Sequence, residues 1–61
     1  MDRQEIENNI RFVENRIGEL QSLIDFAYPN TPHAEIERWR SEIRNYQIRL
    51  DDLINARNNY Y

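Results

Sequence analysis

The sequence predicts an all-α protein, an antiparallel two-helix hairpin of coiled-coil type that assembles as a homo-oligomeric helical bundle. Two apolar stripes run through the chain with a mean spacing of about 3.5 residues. The first comprises Ile6, Ile10, Val13, Ile17, Leu20, Ile24 and Ala27, and the second comprises Ile36, Trp39, Ile43, Tyr46, Leu50 and Leu53. Folding the chain between Thr31 and Pro32 pairs stripe positions whose residue numbers sum to 63, such as Leu20 with Ile43. We therefore expect each stripe to pack against the other.

The first helix is predicted over residues 3–27. Asp2 suits the N-cap position, and Glu5, three residues later, completes an aspartate variant of the capping box. Both carboxylates also favour the positive end of the helix dipole. Pro29 cannot continue a helix and disfavours the helical conformation for the residue before it, so the helix must end just ahead of it.

The second helix is predicted over residues 32–57, after a connection of residues 28–31. Thr31 is the expected N-cap, Pro32 the first helical residue, and Glu35 lies in the first turn. So short a connection makes the two helices antiparallel neighbours.

The length of the chain predicts self-association. A single domain of 61 residues buries a small core, and this one has no cysteine for a disulfide and one histidine for a metal. A lone hairpin also covers each stripe with a single neighbouring helix. We therefore expect further copies to supply the missing cover, in a dimeric four-helix bundle or a larger assembly.

Apolar residues outside the stripes mark the predicted contact between copies. Positions 12, 16, 19, 23 and 26 form a second row on the first helix, here called the outer row; it contains Phe12, Arg16, Glu19, Leu23 and Phe26. The predicted oligomer interface comprises Phe12, Leu23, Phe26, Ile48 and Ile54. Either a copy of the same chain or a different protein can cover such a row. Gly18 and Ser22 likewise allow two interpretations, a notch for a neighbouring helix or a solvated surface.

The charged residues predict a limited ability to bind anions. The net charge is −3, which disfavours nucleic-acid binding by the whole surface, and all eight cations are arginine. Arginine binds carboxylates and phosphates through two hydrogen bonds at once. The candidate ligand-binding residues are Arg3, Arg57, Tyr60 and Tyr61 at the open end of the hairpin, and Arg40 and Arg44 on the second helix. No apolar run is long enough for a membrane span, so we expect a soluble, cytoplasmic protein.

The sequence predicts no catalytic residue, no metal site and no cofactor. His33 is the only histidine, and no serine stands at a spacing that suggests a relay with it. His33 and Glu37 could contact one metal ion, but two ligands do not make a site.

Two resemblances add expectations about function. The segment ELQSLID at residues 19–25, then Pro29, a second helix and the tripeptide ARN at 56–58, resembles the phage anti-CBASS sponge proteins. That family consists of small helical oligomers that sequester cyclic oligonucleotides, so the resemblance implies nucleotide pockets between protomers, held by arginine and aromatic side chains. The second helix departs from the family in having Trp39, Arg44 and Tyr46 where small residues are expected. The architecture alone is similar to the Rop hairpins, which bind RNA.

The sequence as a whole therefore predicts a non-enzymatic interaction module. Its partner is expected to be another copy of itself, with a further protein or an anionic nucleotide as additional possibilities. Sequestration of cyclic oligonucleotides is the alternative function, followed by RNA binding in the manner of Rop.

Overall fold

Two helices packed side by side make up the protein in a computed structural model that describes residues 2–60. Helix α1 spans Arg3–Asp25 and helix α2 spans His33–Asn58. The Cα atoms extend over 48 × 14 × 13 Å, so the molecule is an elongated rod of nearly equal width and thickness. The predicted all-α class and the packing of the two helices against each other are confirmed.

Helix α1 begins with the predicted cap and ends earlier than expected. The Asp2 side chain accepts a hydrogen bond of 2.8 Å from the backbone N–H of Glu5. At the other end Phe26 is the C-cap, and the N–H of Ala27 donates to the carbonyl of Ile24. Ala27 therefore lies beyond the helix, because this tighter bond turns the chain away before Pro29 can interrupt it.

The start of α2 corrects the predicted roles of Thr31 and Pro32. Pro32 is the N-cap with an extended ψ of 137°, and no side chain caps the helix. The N–H of Thr31 donates instead to the carbonyl of Tyr28, across a turn that has Pro29 at its second position. Thr31 is the last residue of this turn, so the N-cap position passes to Pro32. The Pro32 carbonyl then accepts the first hydrogen bonds of the helix, from the N–H groups of Glu35 and Ile36.

The core lies along the seam between the helices. All thirteen stripe residues are buried or half-buried, and the fully buried ones are Ile6, Ile10, Val13, Leu20, Ile43 and Leu53. Leu53 belongs to the same cluster as Ile10 and Val13, and Tyr46 and Leu50 pack against that cluster. Residues equidistant from the turn thus share one core, as the antiparallel register requires.

The open end of the hairpin is joined by an ion pair. The Nη1 atom of Arg57 lies 3.8 Å from Oε1 of Glu7, the one ion pair between the helices within residues 2–60. Helix α2 ends at Asn58, one residue later than predicted, with Asn59 as its C-cap. Among these residues no helix is both long and apolar enough to cross a membrane.

Candidate interaction surfaces

Large apolar side chains remain on the outside of the hairpin after the seam has closed. Phe12 is 59% exposed, Leu23 46%, Phe26 83% and Ile48 64%. These are four of the five residues of the predicted oligomer interface. The fifth, Ile54, is half-buried and packs against the hairpin's own core cluster. Its side chain is therefore largely covered within one copy.

Arg16 links the outer row to the second helix. Its Nη1 atom donates a hydrogen bond of 3.1 Å to Oε2 of Glu19, one turn further along α1. The pKa of Arg16 is raised, first by a side-chain hydrogen bond with Tyr46 and then by Glu19. An arginine guanidinium is a cation at every physiological pH, and a raised pKa keeps it so, which makes Arg16 a permanent positive charge on this side of the seam.

A groove of about 270 Å³ follows the seam beside Arg16, and we call it the Arg16 groove. Its lining consists of Arg16, Glu42, Asn45, Tyr46 and Arg49. Sequence reasoning assigned Tyr46 to the core and missed this groove. The signal was present in the stripe itself, since Tyr46 is a seam residue whose hydroxyl must find a polar partner near the edge of the seam.

A second groove, of about 350 Å³, contains the predicted pair Arg40 and Arg44. Its lining consists of Gln21, Ile24, Asp25, Arg40, Ile43 and Arg44. Arg40 is bound to Glu37 at 3.1 Å, and Arg44 donates to the Ser41 hydroxyl at 2.9 Å. An anion in this groove would have to compete with Glu37 and would lie beside the carboxylate of Asp25.

At the open end, the predicted anion site is partly occupied by the protein's own groups. Arg57 pairs with Glu7, and Arg3 and Tyr60 are exposed, Tyr60 by 50%. The N–H of Tyr60 donates to the carbonyl of Arg57 in the final turn. Tyr61 lies outside the described residues. The structure thus brings Arg57 close to a carboxylate on α1.

Two further charged pairs lie on the surface of α2. His33 Nε2 lies 3.7 Å from Oε1 of Glu37, with both side chains exposed, and Arg38 pairs with Glu35. No group of three or more potential metal ligands occurs within residues 2–60. Exposed pairs of this kind contribute about 0–1 kcal/mol each to stability.

Comparison of the chain with protein-family models, curated proteins and solved structures finds no match.

Proposed function

We propose that this protein is a non-enzymatic interaction module that works by assembling with copies of itself through its outer row. The exposed side chains of Phe12, Leu23 and Phe26 carry this proposal. They lie on a helix whose seam face is already packed, so a further surface must cover them. A soluble monomer seldom leaves so many large apolar side chains on one helix uncovered.

The surface area of the hairpin supports a second copy as the occupant. The chain exposes 4717 Å², whereas a compact monomer of its 7.5 kDa mass exposes about 4,200 Å². The excess follows from the rod shape, which covers each stripe from one side only. Docking a second hairpin along the rod would cover the outer row and thicken the core to that of a four-helix bundle.

Light scattering of the purified protein tests this proposal. We expect a native mass of at least two chains, that is, two or more times 7.5 kDa. Replacing Phe12 and Phe26 together by serine should shift the distribution toward the single hairpin, because the apolar contact between copies is lost.

The matched control is Tyr28→Ser. Tyr28 is 78% exposed but belongs to the connection and not to the outer row. We expect this variant to keep the wild-type mass. A wild-type protein that scatters as one folded hairpin at every concentration would refute the proposal.

A second candidate function, sequestration of an anionic nucleotide, is favoured by the Arg16 groove. Arg16 and Arg49 flank Tyr46 there, and guanidinium groups bind phosphates while aromatic rings stack on bases. A cyclic dinucleotide or trinucleotide at about 100 times its dissociation constant should stabilise the fold by about 2.7 kcal/mol.

Arg49→Gln should remove this ligand-induced stabilisation, because it deletes one of the two cations of the groove. Arg38→Gln serves as its control, since Arg38 does not line the groove. If the melting temperature of the wild type is unchanged by these ligands, the nucleotide function is rejected while self-association stands.

A further inference from the structure

Four of the five outer-row positions are spaced symmetrically along α1. These four are Phe12, Arg16, Glu19 and Leu23, with spacings of four, three and four residues. When two copies of α1 lie antiparallel and centred between residues 17 and 18, the paired residue numbers sum to 35. Phe12 then meets Leu23 of a second copy, and Arg16 meets Glu19 of that copy.

This pairing makes the row complementary to itself. Phe12 and Leu23 meet each other and each cation meets an anion, while Phe26, the third apolar residue of the row, lies opposite Asn9. A two-fold axis requires the same patch on both partners, so that each contact occurs twice. We infer that two hairpins of this chain pair through a two-fold axis perpendicular to α1, with the outer rows of the two copies antiparallel and in this register. The inference specifies the geometry of the self-association proposed above and depends on it.

Helix α2 supplies an independent check on the position of the axis. Residues on the two helices that face each other across the seam have numbers summing to 63, so the axis crosses α2 between residues 45 and 46. Paired residue numbers on α2 then sum to 91, and Glu42 meets Arg49 of the second copy. The position of the two-fold axis was derived from α1 alone, and it also pairs opposite charges on α2.

All of these residues lie on one side of the hairpin. Arg16, Glu42 and Arg49 line the same groove. Phe12 lies four residues before Arg16 and Leu23 seven residues after it, spacings that place all three on the same face of a helix. The Arg16 grooves of the two copies would therefore face each other at the middle of the interface.

The size of this face is adequate for a stable dimer. The Cα atoms alone span 48 by 14 Å on the long side of the rod. Once side chains are included, the area of this face is of the order of the roughly 800 Å² per partner that a standard interface buries. Ile48 precedes Arg49 by one residue and so points about 100° away from it, which leaves Ile48 outside the pairing.

Disulfide cross-linking between copies tests the register. The chain has no cysteine, so Phe12→Cys and Leu23→Cys each introduce a single thiol at an exposed site. We expect an equimolar mixture of the two variants to form a disulfide-linked dimer containing one of each. Neither variant alone should cross-link, because Phe12 and its own counterpart lie about 16 Å apart along the antiparallel axis, beyond the reach of a disulfide.

The outcomes of this experiment distinguish the register of the contact from self-association itself. Self-cross-linking of Phe12→Cys, or an assembly whose mixture fails to cross-link, would overturn the register and leave self-association in place. Monomeric behaviour of the wild-type chain would overturn both. Ile48→Cys mixed with Phe12→Cys is the matched control and should give no disulfide.

A charge exchange keeps the test decisive if a cysteine variant fails to fold. Arg16→Glu leaves two acids on the outer row and Glu19→Arg leaves two cations. In this register each variant repels its own copy, and a mixture of the two restores both ion pairs between chains. We expect dimers from the mixture and at least ten-fold weaker association of either variant alone. Equal association in all three samples would refute the register.

Discussion

At the scale of single residues, stability depends on a few side chains in the seam. Leu20 and Val13 are each 1% exposed, and a rod two helices wide has no second layer behind them. The neighbours of such a residue cannot collapse inward after truncation, so a cavity or a wet gap remains. Each seam residue therefore carries a large share of the total free energy of unfolding.

Leu20→Ala should destabilise the protein by about 2–5 kcal/mol through lost burial and the cavity left behind. Chemical denaturation monitored by circular dichroism measures the loss. Ile48→Ala is the matched control, because it also removes aliphatic carbon but from a side chain that is 64% exposed. Comparable losses in the two variants would contradict the assignment of Leu20 to the core.

At Gly18 we expect a substitution to stabilise the protein. A methyl group added there would meet no atom within 4 Å, and the residue is exposed in mid-helix. Gly18→Ala should therefore raise the free energy of unfolding by about 1 kcal/mol, the difference in helix propensity. A loss of stability in thermal melts would instead show that another helix packs against Gly18, as the notch interpretation requires.

At the scale of elements, the two helices differ in whether a neighbouring side chain caps their first turn. The Asp2 carboxylate satisfies the N–H of Glu5, and no equivalent side chain caps α2. Helix α2 begins where the turn from Tyr28 to Thr31 releases the chain, so its start is determined by the geometry of the reversal. The first helix should therefore respond to a change of cap, and the second should not.

Asp2→Ala should cost about 0.5–2 kcal/mol, because the Glu5 N–H loses its acceptor. Asp2→Asn keeps an acceptor oxygen and should retain most of the stability. Thr31→Ala is predicted to have little effect, since Thr31 does not cap α2. Thermal unfolding of the three variants measures the differences, and a larger loss for Thr31→Ala than for Asp2→Ala would contradict these roles.

The sequence predicts the seam well because hydrophobic periodicity reports directly on the buried face of a helix. Its stripe includes the half-buried Trp39 and Tyr46 as well as the fully buried aliphatic residues. The boundary at Thr31 and Pro32 was wrong because a capping signature is local, whereas the turn that uses Thr31 depends on where Tyr28 lies. The Arg16 groove was missed for a similar reason: its lining comes from both helices, and only their packing brings Arg16 to Tyr46.

At the scale of the whole molecule, the hairpin resembles half of a helical bundle. Its seam is packed, its outer row is exposed, and the groove between them carries both signs of charge. Such a surface suits a partner that presents the same residues in reverse order. If assembly supplies part of the stability of the fold, folding and association are a single equilibrium, and the amount of folded protein depends on concentration.

Thermal unfolding of the wild-type protein over about a hundred-fold range of concentration tests this coupling most directly. Circular dichroism reports the helices at each concentration, and light scattering reports the mass below the transition. We predict that the melting temperature rises with concentration and that the folded species is larger than 7.5 kDa. A constant melting temperature together with a folded species of 7.5 kDa would contradict the account.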